Sequence, residues 1–318
     1  MSKRKLAARP RRFASALSLA LLLVVPLAVG AQTRSAAKLT THAPVALSLA
    51  PAQAAGKEVT VFGQKINYTE AGSGPVVVLL HGLGGSTANW AFNVPALATK
   101  FRVIVPDQIG HGQSAKPLIN YRIGTYVDFL DKFLSELKIE RASLVGNSMG
   151  GWIAAAYALK YPQRVERIVL VDAAGFSPPK EFDIAALNGL NPSTRDGMRQ
   201  LAQLVFFNKA LFASDAALDL MLTARLSAGD GYTIQSLVES FNRREDMLDG
   251  KLSALKQPVL LVWGRDDGLT PLAREGEQYK REIPHAQLVV FEQCGHIPQI
   301  EKAMEFNAAL LKFLTGAN

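Results

Sequence analysis

The sequence predicts an α/β protein built on a mostly parallel, doubly wound sheet that one helical insertion interrupts. Three observations predict it. Short apolar runs, Val76–Leu80, Val103–Val105, Ala142–Val145, Ile168–Val171 and Val259–Trp263, alternate with helical patterns at strand–helix–strand spacing. Those runs are almost wholly apolar, with Ser143 as the one polar residue, as strands covered on both faces require. From Phe176 to Lys256 the pattern is helical with no convincing strand, which marks an insertion within the alternation.

The chain of 318 residues has room for one large α/β domain with such an insertion, and 48% apolar against 19% charged residues supplies a core. Its first segment is of another kind. A basic stretch, Lys3 to Arg12, precedes an apolar run from Phe13 to Ala31, so residues 1–31 read as a signal peptide or an N-terminal anchor. Val29-Gly30-Ala31 offers a small residue for cleavage, and the run is at the short limit for spanning a bilayer. Export, to the periplasm or beyond, follows as an expectation, with membrane association through this segment if it is retained. Residues 32–57, rich in Ala, Thr, Ser and Pro, suit a flexible tether. Residues 1–57 hold nine Lys and Arg and no acid, so of the net charge of +8 the rest of the chain carries 8 − 9 = −1. Without a basic folded face, nucleic-acid binding is not expected. The single cysteine, Cys294, leaves no internal disulfide.

The folded part begins near Glu58, and residues 58–175 form the first part of the core. Val59 to Phe62 and Lys65 to Glu70 are expected to pair as a hairpin across Gly63-Gln64. After Pro75 the strand Val76–Leu80 runs into His81-Gly82-Leu83-Gly84-Gly85, and a helix holding Trp90 and Leu97 follows. The next strand ends at Asp107, before Gly110-His111-Gly112-Gln113-Ser114, and an amphipathic helix covers about Ile123 to Leu137. The strand ending at Val145 enters Gly146-Asn147-Ser148-Met149-Gly150, and a helix leaves it. Ile168–Val171 closes on Asp172. Within the insertion, 176–256, helices are expected over Met198–Phe212, Ala216–Leu226 and Ile234–Phe241. The second part of the core, 257–318, has strands at Val259–Trp263 and Gln287–Phe291 and helices near Ala273–Glu282 and Ala303–Leu314.

Polar groups fall where these strands end, which is where open α/β sheets place their sites. Ser148 stands in a Gly-x-Ser-x-Gly turn between strand and helix, which would expose its hydroxyl to the helix N-terminus. Asp266 and Asp267 follow one late strand and His296 the last. A serine hydroxyl becomes nucleophilic when a base takes its proton, and a carboxylate can orient that base. Asp172 is a third acid at a strand end. His81, His111 and His285 have hydrogen-bonding roles in turns as their simpler reading, and His42 lies in the tether. Histidines without paired ligand spacing, beside one cysteine, give no metal site.

With these motifs in this order, residues 58–316 resemble the α/β-hydrolase-fold serine hydrolases. The His81-Gly82-Leu83-Gly84 turn is similar to that family's oxyanion loop, Asp107 to Ser114 to its D-x-x-G-x-G-x-S signature, Trp263 to Asp267 to its acid turn, and Gly295-His296-Ile297-Pro298 to its histidine turn. The resemblance implies Ser148 as nucleophile, His296 as base, Asp267 as orienting acid, and the amides of Leu83 and Met149 as oxyanion hole, with no cofactor and no metal. It implies that the insertion is a cap. Met149 and Trp152 either line an acyl pocket or pack in the core. Because serine, not aspartate, occupies the elbow, the expected reaction is hydrolysis of a small-molecule or lipid ester through an acyl-enzyme. The elbow and Cys294-Gly295-His296 also resemble carbon–carbon hydrolases of the meta-cleavage type, although that group usually has Trp where this chain has Ile297 and a Ser/Gly-Gly-Pro-Gly loop where it has Leu83-Gly84-Gly85. A non-catalytic binding protein on the same fold is the third reading.

Overall fold

A computed structural model describes residues 56–179, 184–212 and 214–316. The expected leader and nearly all of the tether lie outside the described residues.

The chain opens with the antiparallel pair β1 (Lys57–Val61) and β2 (Gln64–Ala71), joined through Phe62 and Gly63, both at positive φ, as a two-residue hairpin turn needs. Then follow β3 (Val76–Leu80), α1 (Val94–Leu97), β4 (Arg102–Pro106), α2 (Ile123–Glu136), β5 (Ala142–Asn147), α3 (Met149–Lys160) and β6 (Val165–Val171). The insertion contributes α4 (Arg195–Val205), α5 (Asp215–Ser227) and α6 (Gly231–Asn242), and no strand among the described residues. The chain returns to the sheet with β7 (Val259–Gly264), α7 (Glu277–Glu282), β8 (Gln287–Phe291), α8 (Pro298–Glu301) and α9 (Ala303–Thr315). α9 ends at Gly316, whose φ of 68° supplies the left-handed cap.

All eight strands form one sheet in the order β1-β2-β4-β3-β5-β6-β7-β8. From β4 to β8 every pairing is parallel, and β1 and β2 are antiparallel additions. Strand order reverses around β3, so the crevice outside the carboxyl ends of β3 and β5 is the topological switch point. Register aligns those ends. Leu80 lies opposite Gly146, Asn147 opposite Val171, and Gly264 opposite Phe291, so the turns after β3, β5, β6, β7 and β8 open on one edge.

Side-chain alternation along the strands divides the core into two layers. Val78, Leu80, Leu144, Ile168, Leu170, Leu261 and Trp263 face α2, α3 and α7 through Leu130, Tyr157 and Tyr279. Val77, Leu79, Val103, Val145, Val169 and Val262 face α1 and α9 through Leu97, Phe306 and Leu310. Each fully buried Val or Leu stabilises by roughly 1.5–3 kcal/mol, so the sheet is a rigid base for its loops.

Three expected helices differ. The one expected around Trp90 and Leu97 is a 3₁₀ turn, Thr87–Trp90, followed by the single turn α1. The one expected over Ala273–Glu282 begins as a wide turn, Leu272–Gly276, before α7. The one expected to reach Phe212 stops at Val205, because Phe206 turns extended (φ −106°, ψ 143°). The carbonyls freed at that end have partners elsewhere, described below.

Candidate active site

β5 enters a turn too tight for side chains on its flanks. A Cβ on Gly146 would come 2.2 Å from the Gly150 carbonyl group, and one on Gly150 would come 2.2 Å from the Leu80 carbonyl oxygen. Ser148, between them, adopts φ 55° and ψ −118°, a conformation that non-glycine residues hold only when the surroundings enforce it. The enforcement is visible: Ser148 N donates to the Val171 carbonyl (2.9 Å), while the Ser148 carbonyl accepts from Gly151, Trp152 and Ala174. Ser148 precedes the first residue of α3 and is half-buried, with the positive end of that helix directed at it.

The acid and histidine turns meet beside it. His296 Nδ1 lies 2.8 Å from Asp267 Oδ2, and both side chains are buried. On its other oxygen, Asp267 accepts from the amides of Leu269 (2.8 Å) and Thr270 (3.1 Å). Burial alone would raise the Asp267 pKa, but the charge of His296 and the bonds from His296, Thr270 and Leu269 outweigh it and bring the carboxyl below its ordinary range. The carboxylate therefore holds the imidazole with Nδ1 protonated and Nε2 free to take a proton. Asp266 is exposed and points elsewhere, its amide bonded to the Cys294 carbonyl (2.9 Å). Asp172 is fully buried, with Oδ1 accepting from Gly264 N (2.9 Å) and Oδ2 without a partner. Burial, then the neighbouring Asp267, pushes its pKa well up. Ligand atoms of Asp172, Asp267 and His296 lie within 4.8 Å of one another. The hydrogen bonds that hold Asp267 and His296 would have to be surrendered to a metal ion there.

A family profile described as "alpha/beta hydrolase fold" matches residues 75–303. The chain belongs to the α/β-hydrolase fold family. This hydrolase is 36% identical over 273 residues to the 2-hydroxymuconate semialdehyde hydrolase of Pseudomonas sp. (strain CF600), covering 83% of this chain and 95% of that one. Among solved structures it is similar to a meta-cleavage product hydrolase from Pseudomonas fluorescens IP01, with TM-score 0.72, 31% identity, and 83% and 98% of the two chains covered. It is also similar to a membrane phospholipase A described as a bacterial virulence factor, with TM-score 0.73, 28% identity, and 82% and 86% covered. A hydrolase of this fold acts on a small-molecule substrate.

The loop after β3 closes the hydrolase's site from the other side. A Cβ on Gly82 would lie 3.2 Å from Ser148 Cβ, so the loop that carries Leu83 stands beside Ser148, and Met149 follows Ser148 as the first residue of α3. His81 braces this loop: its Nε2 accepts from Gln108 N (3.1 Å), which leaves Nδ1–H to donate to the Gly82 carbonyl (2.8 Å). Asp107 fixes the neighbouring turn, accepting from Thr87 N, Asn67 Nδ2 and Gln113 N at 2.7–2.9 Å. His111 is buried near His81, and His285 bonds the Gln257 carbonyl far from the site. Trp152 is buried, its indole N–H donating to the Asp246 carbonyl (3.0 Å) and its ring edge-on to Phe241, between α3 and the end of α6.

Three supporting residues escaped the sequence reading. Asn147 donates from Nδ2 to the carbonyls of His296 (3.0 Å) and Val171 (3.2 Å), tying the elbow to the histidine turn. Glu301 accepts from Gly295 N (2.7 Å) and Phe207 N (3.0 Å), tying the histidine turn to the insertion. Thr270 carries a buried hydroxyl between acid and base. The insertion itself docks on the site loops. Its α4 gives the Leu204 carbonyl to Gly268 N (3.1 Å) and the Val205 carbonyl to His296 N (2.7 Å), while Ile234 and Thr233 of α6 lie against Gly84 and Gly110.

Proposed function

We propose that this chain is an exported serine hydrolase that cleaves the carbon–carbon bond beside a carbonyl group in small meta-cleavage-type substrates. The observation that carries hydrolysis is the 2.8 Å contact between His296 Nδ1 and Asp267 Oδ2 in turns that converge on the Ser148 elbow. Its likeness to the 2-hydroxymuconate semialdehyde hydrolase, over 95% of that protein, supports the carbon–carbon substrate.

The reaction follows from the roles proposed for these side chains. His296 Nε2 takes the Ser148 proton, and Asp267 stabilises the imidazolium and holds its orientation. Oγ adds to the carbonyl carbon, and the developing oxyanion is met by the amides of Leu83 and Met149 at the positive end of α3. With the substrate in its keto tautomer, collapse expels the neighbouring carbon, its bonding pair delocalised onto the remote keto oxygen as an enolate, which accepts the imidazolium proton. Water, deprotonated by His296, then hydrolyses the acyl-enzyme and releases a carboxylic acid.

Carboxylic ester hydrolysis is the second reading. Ile297 after the base and Leu83-Gly84-Gly85 in the oxyanion loop favour it, since both depart from the usual carbon–carbon pattern. The only change in chemistry is that an alkoxide leaves in place of the enolate. Comparing kcat/KM for 2-hydroxymuconate semialdehyde with that for p-nitrophenyl esters of graded length decides between the two. Turnover of esters alone would replace the first reading with the second. A fluorophosphonate probe that fails to label Ser148 would leave only a binding protein. Export rests on the basic-then-apolar leader, and finding intact Met1 or Ser2 on native protein in a soluble cytoplasmic fraction would contradict it. No helix among the described residues is long and apolar enough to cross a membrane.

A further inference from the structure

The Thr270 hydroxyl stands where the acid turn, the histidine turn and the end of β6 meet. Its Oγ1 lies 2.6 Å from Asp267 Oδ2, 3.0 Å from the Asp172 carbonyl oxygen and 3.2 Å from His296 Nδ1. The residue is buried and pinned by its own backbone, with Thr270 N donating to Asp267 Oδ1 (3.1 Å) and Trp263 Nε1 donating to the Thr270 carbonyl (2.7 Å). A hydroxyl has one proton to give, so it must choose between the two oxygens. The shorter contact and the negative charge of the carboxylate select Asp267. Its lone pairs then face His296 Nδ1, whose proton is held chiefly by Asp267 at 2.8 Å.

We propose that Thr270 is a positioning residue for the acid–base pair: its hydroxyl clamps Asp267 Oδ2 against His296 Nδ1 and withdraws charge from that oxygen. The inference rests on the roles assigned to Asp267 and His296 above. By drawing on Oδ2 and facing Nδ1, the hydroxyl changes the charge that the carboxylate presents to the imidazole, so its loss should register in the pH dependence of turnover. The other ionisable groups near this point are Asp172 at the end of β6, Glu275 before α7, Cys294 on the histidine turn, and Glu301 and Lys302 at the end of α8. Burial pushes the Asp172 carboxyl and the Cys294 thiol up, and the shortest contacts to Oδ2 are those from Thr270 Oγ1 (2.6 Å) and His296 Nδ1 (2.8 Å).

Thr270→Val removes the hydroxyl and keeps the shape, whereas Thr270→Ser keeps the hydroxyl. Both are read, with Thr270→Ala beside them in case the Val variant does not fold, as kcat and KM against pH. The substrate is whichever of p-nitrophenyl butyrate and 2-hydroxymuconate semialdehyde the parent protein turns over faster. Removal of the hydroxyl is expected to lower kcat about 10-fold with KM within about twofold, and to displace the acidic limb of the kcat profile. Thr270→Ser should restore the limb. A purely structural residue would lower thermal stability and leave the limb in place. Normal kcat and an unmoved limb in the Val and Ala variants, or the same displacement in Thr270→Ser, would overturn the inference. Ser148→Ala is measured in parallel: activity surviving that change overturns the serine mechanism itself, whereas its loss beside a normal Thr270→Val overturns only the role of Thr270.

Discussion

Asp172, Asp266 and Asp267 offer three carboxyls near one imidazole, and their hydrogen bonds separate them. Only Asp267 bonds His296, while Asp172 holds Gly264 N and Asp266 faces solvent. Asp267→Asn is therefore expected to lower kcat by up to about 10⁴-fold by holding the wrong tautomer, and Ser148→Ala to lower it by about 10³-fold or more. Asp172→Asn and Asp266→Asn should stay near normal, and steady-state kinetics of the four variants check the set. Asp172 has a second signature, in stability. Its pKa is raised in the folded state, so the folded form keeps a proton that the unfolded chain loses as pH climbs past about 3.8. Its stabilisation is complete below that pH and declines above it. Asp172→Asn should thus gain in melting temperature relative to the parent on going from pH 4 to pH 7, measured by thermal melts at both. Ser148, Asp267 and His296 were legible in the sequence because each lies in a glycine turn after an apolar strand. The supporting roles of Asn147 and Glu301 were not, because Asn147 meets His296 across 149 residues and Glu301 meets Phe207 across 94, contacts that no local spacing registers.

The C-terminal end of α4 shows what an element's boundary can do. Amphipathic spacing pointed to a helix running to Phe212, and the chain instead leaves helical geometry after Val205. The last carbonyls of a helix lack partners within it. Here Leu204 and Val205 give theirs to Gly268 N and His296 N, contacts that exist only in the folded protein and that periodicity cannot register. Glu301 reinforces the junction through Phe207 N and Gly295 N, and Glu301→Gln can keep only one carbonyl acceptor for these two donors. A buried donor left unpaired costs about 1–3 kcal/mol. We expect Glu301→Gln to lower kcat severalfold and to speed amide hydrogen exchange around 205–208 and 294–296, with the strands of the sheet unaffected. Unchanged exchange at both segments would show that Glu301 does not hold the junction. The expectation that the insertion sorts substrates by acyl length is a proposal that trimming the 176–256 segment tests, since an unchanged preference would remove it.

At the scale of the molecule, the alternation of apolar runs specified strand number and mostly parallel pairing, because a strand covered on both faces has few alternatives. The placement of the insertion over the loops was legible only through the family resemblance, since its docking depends on backbone groups that every sequence possesses. That docking bears on how the protein matures. His296 N and the Val205 carbonyl are 296 − 205 = 91 residues apart, and Asn147 meets the His296 carbonyl across 149. Closures of such length form slowly compared with helices, which form in about a microsecond. In refolding from denaturant, helical circular dichroism should therefore recover before p-nitrophenyl ester turnover, and simultaneous recovery would refute this. A nascent chain would remain inert towards the metabolites around it until its last helix is laid down, so catalytic competence reports that folding is complete.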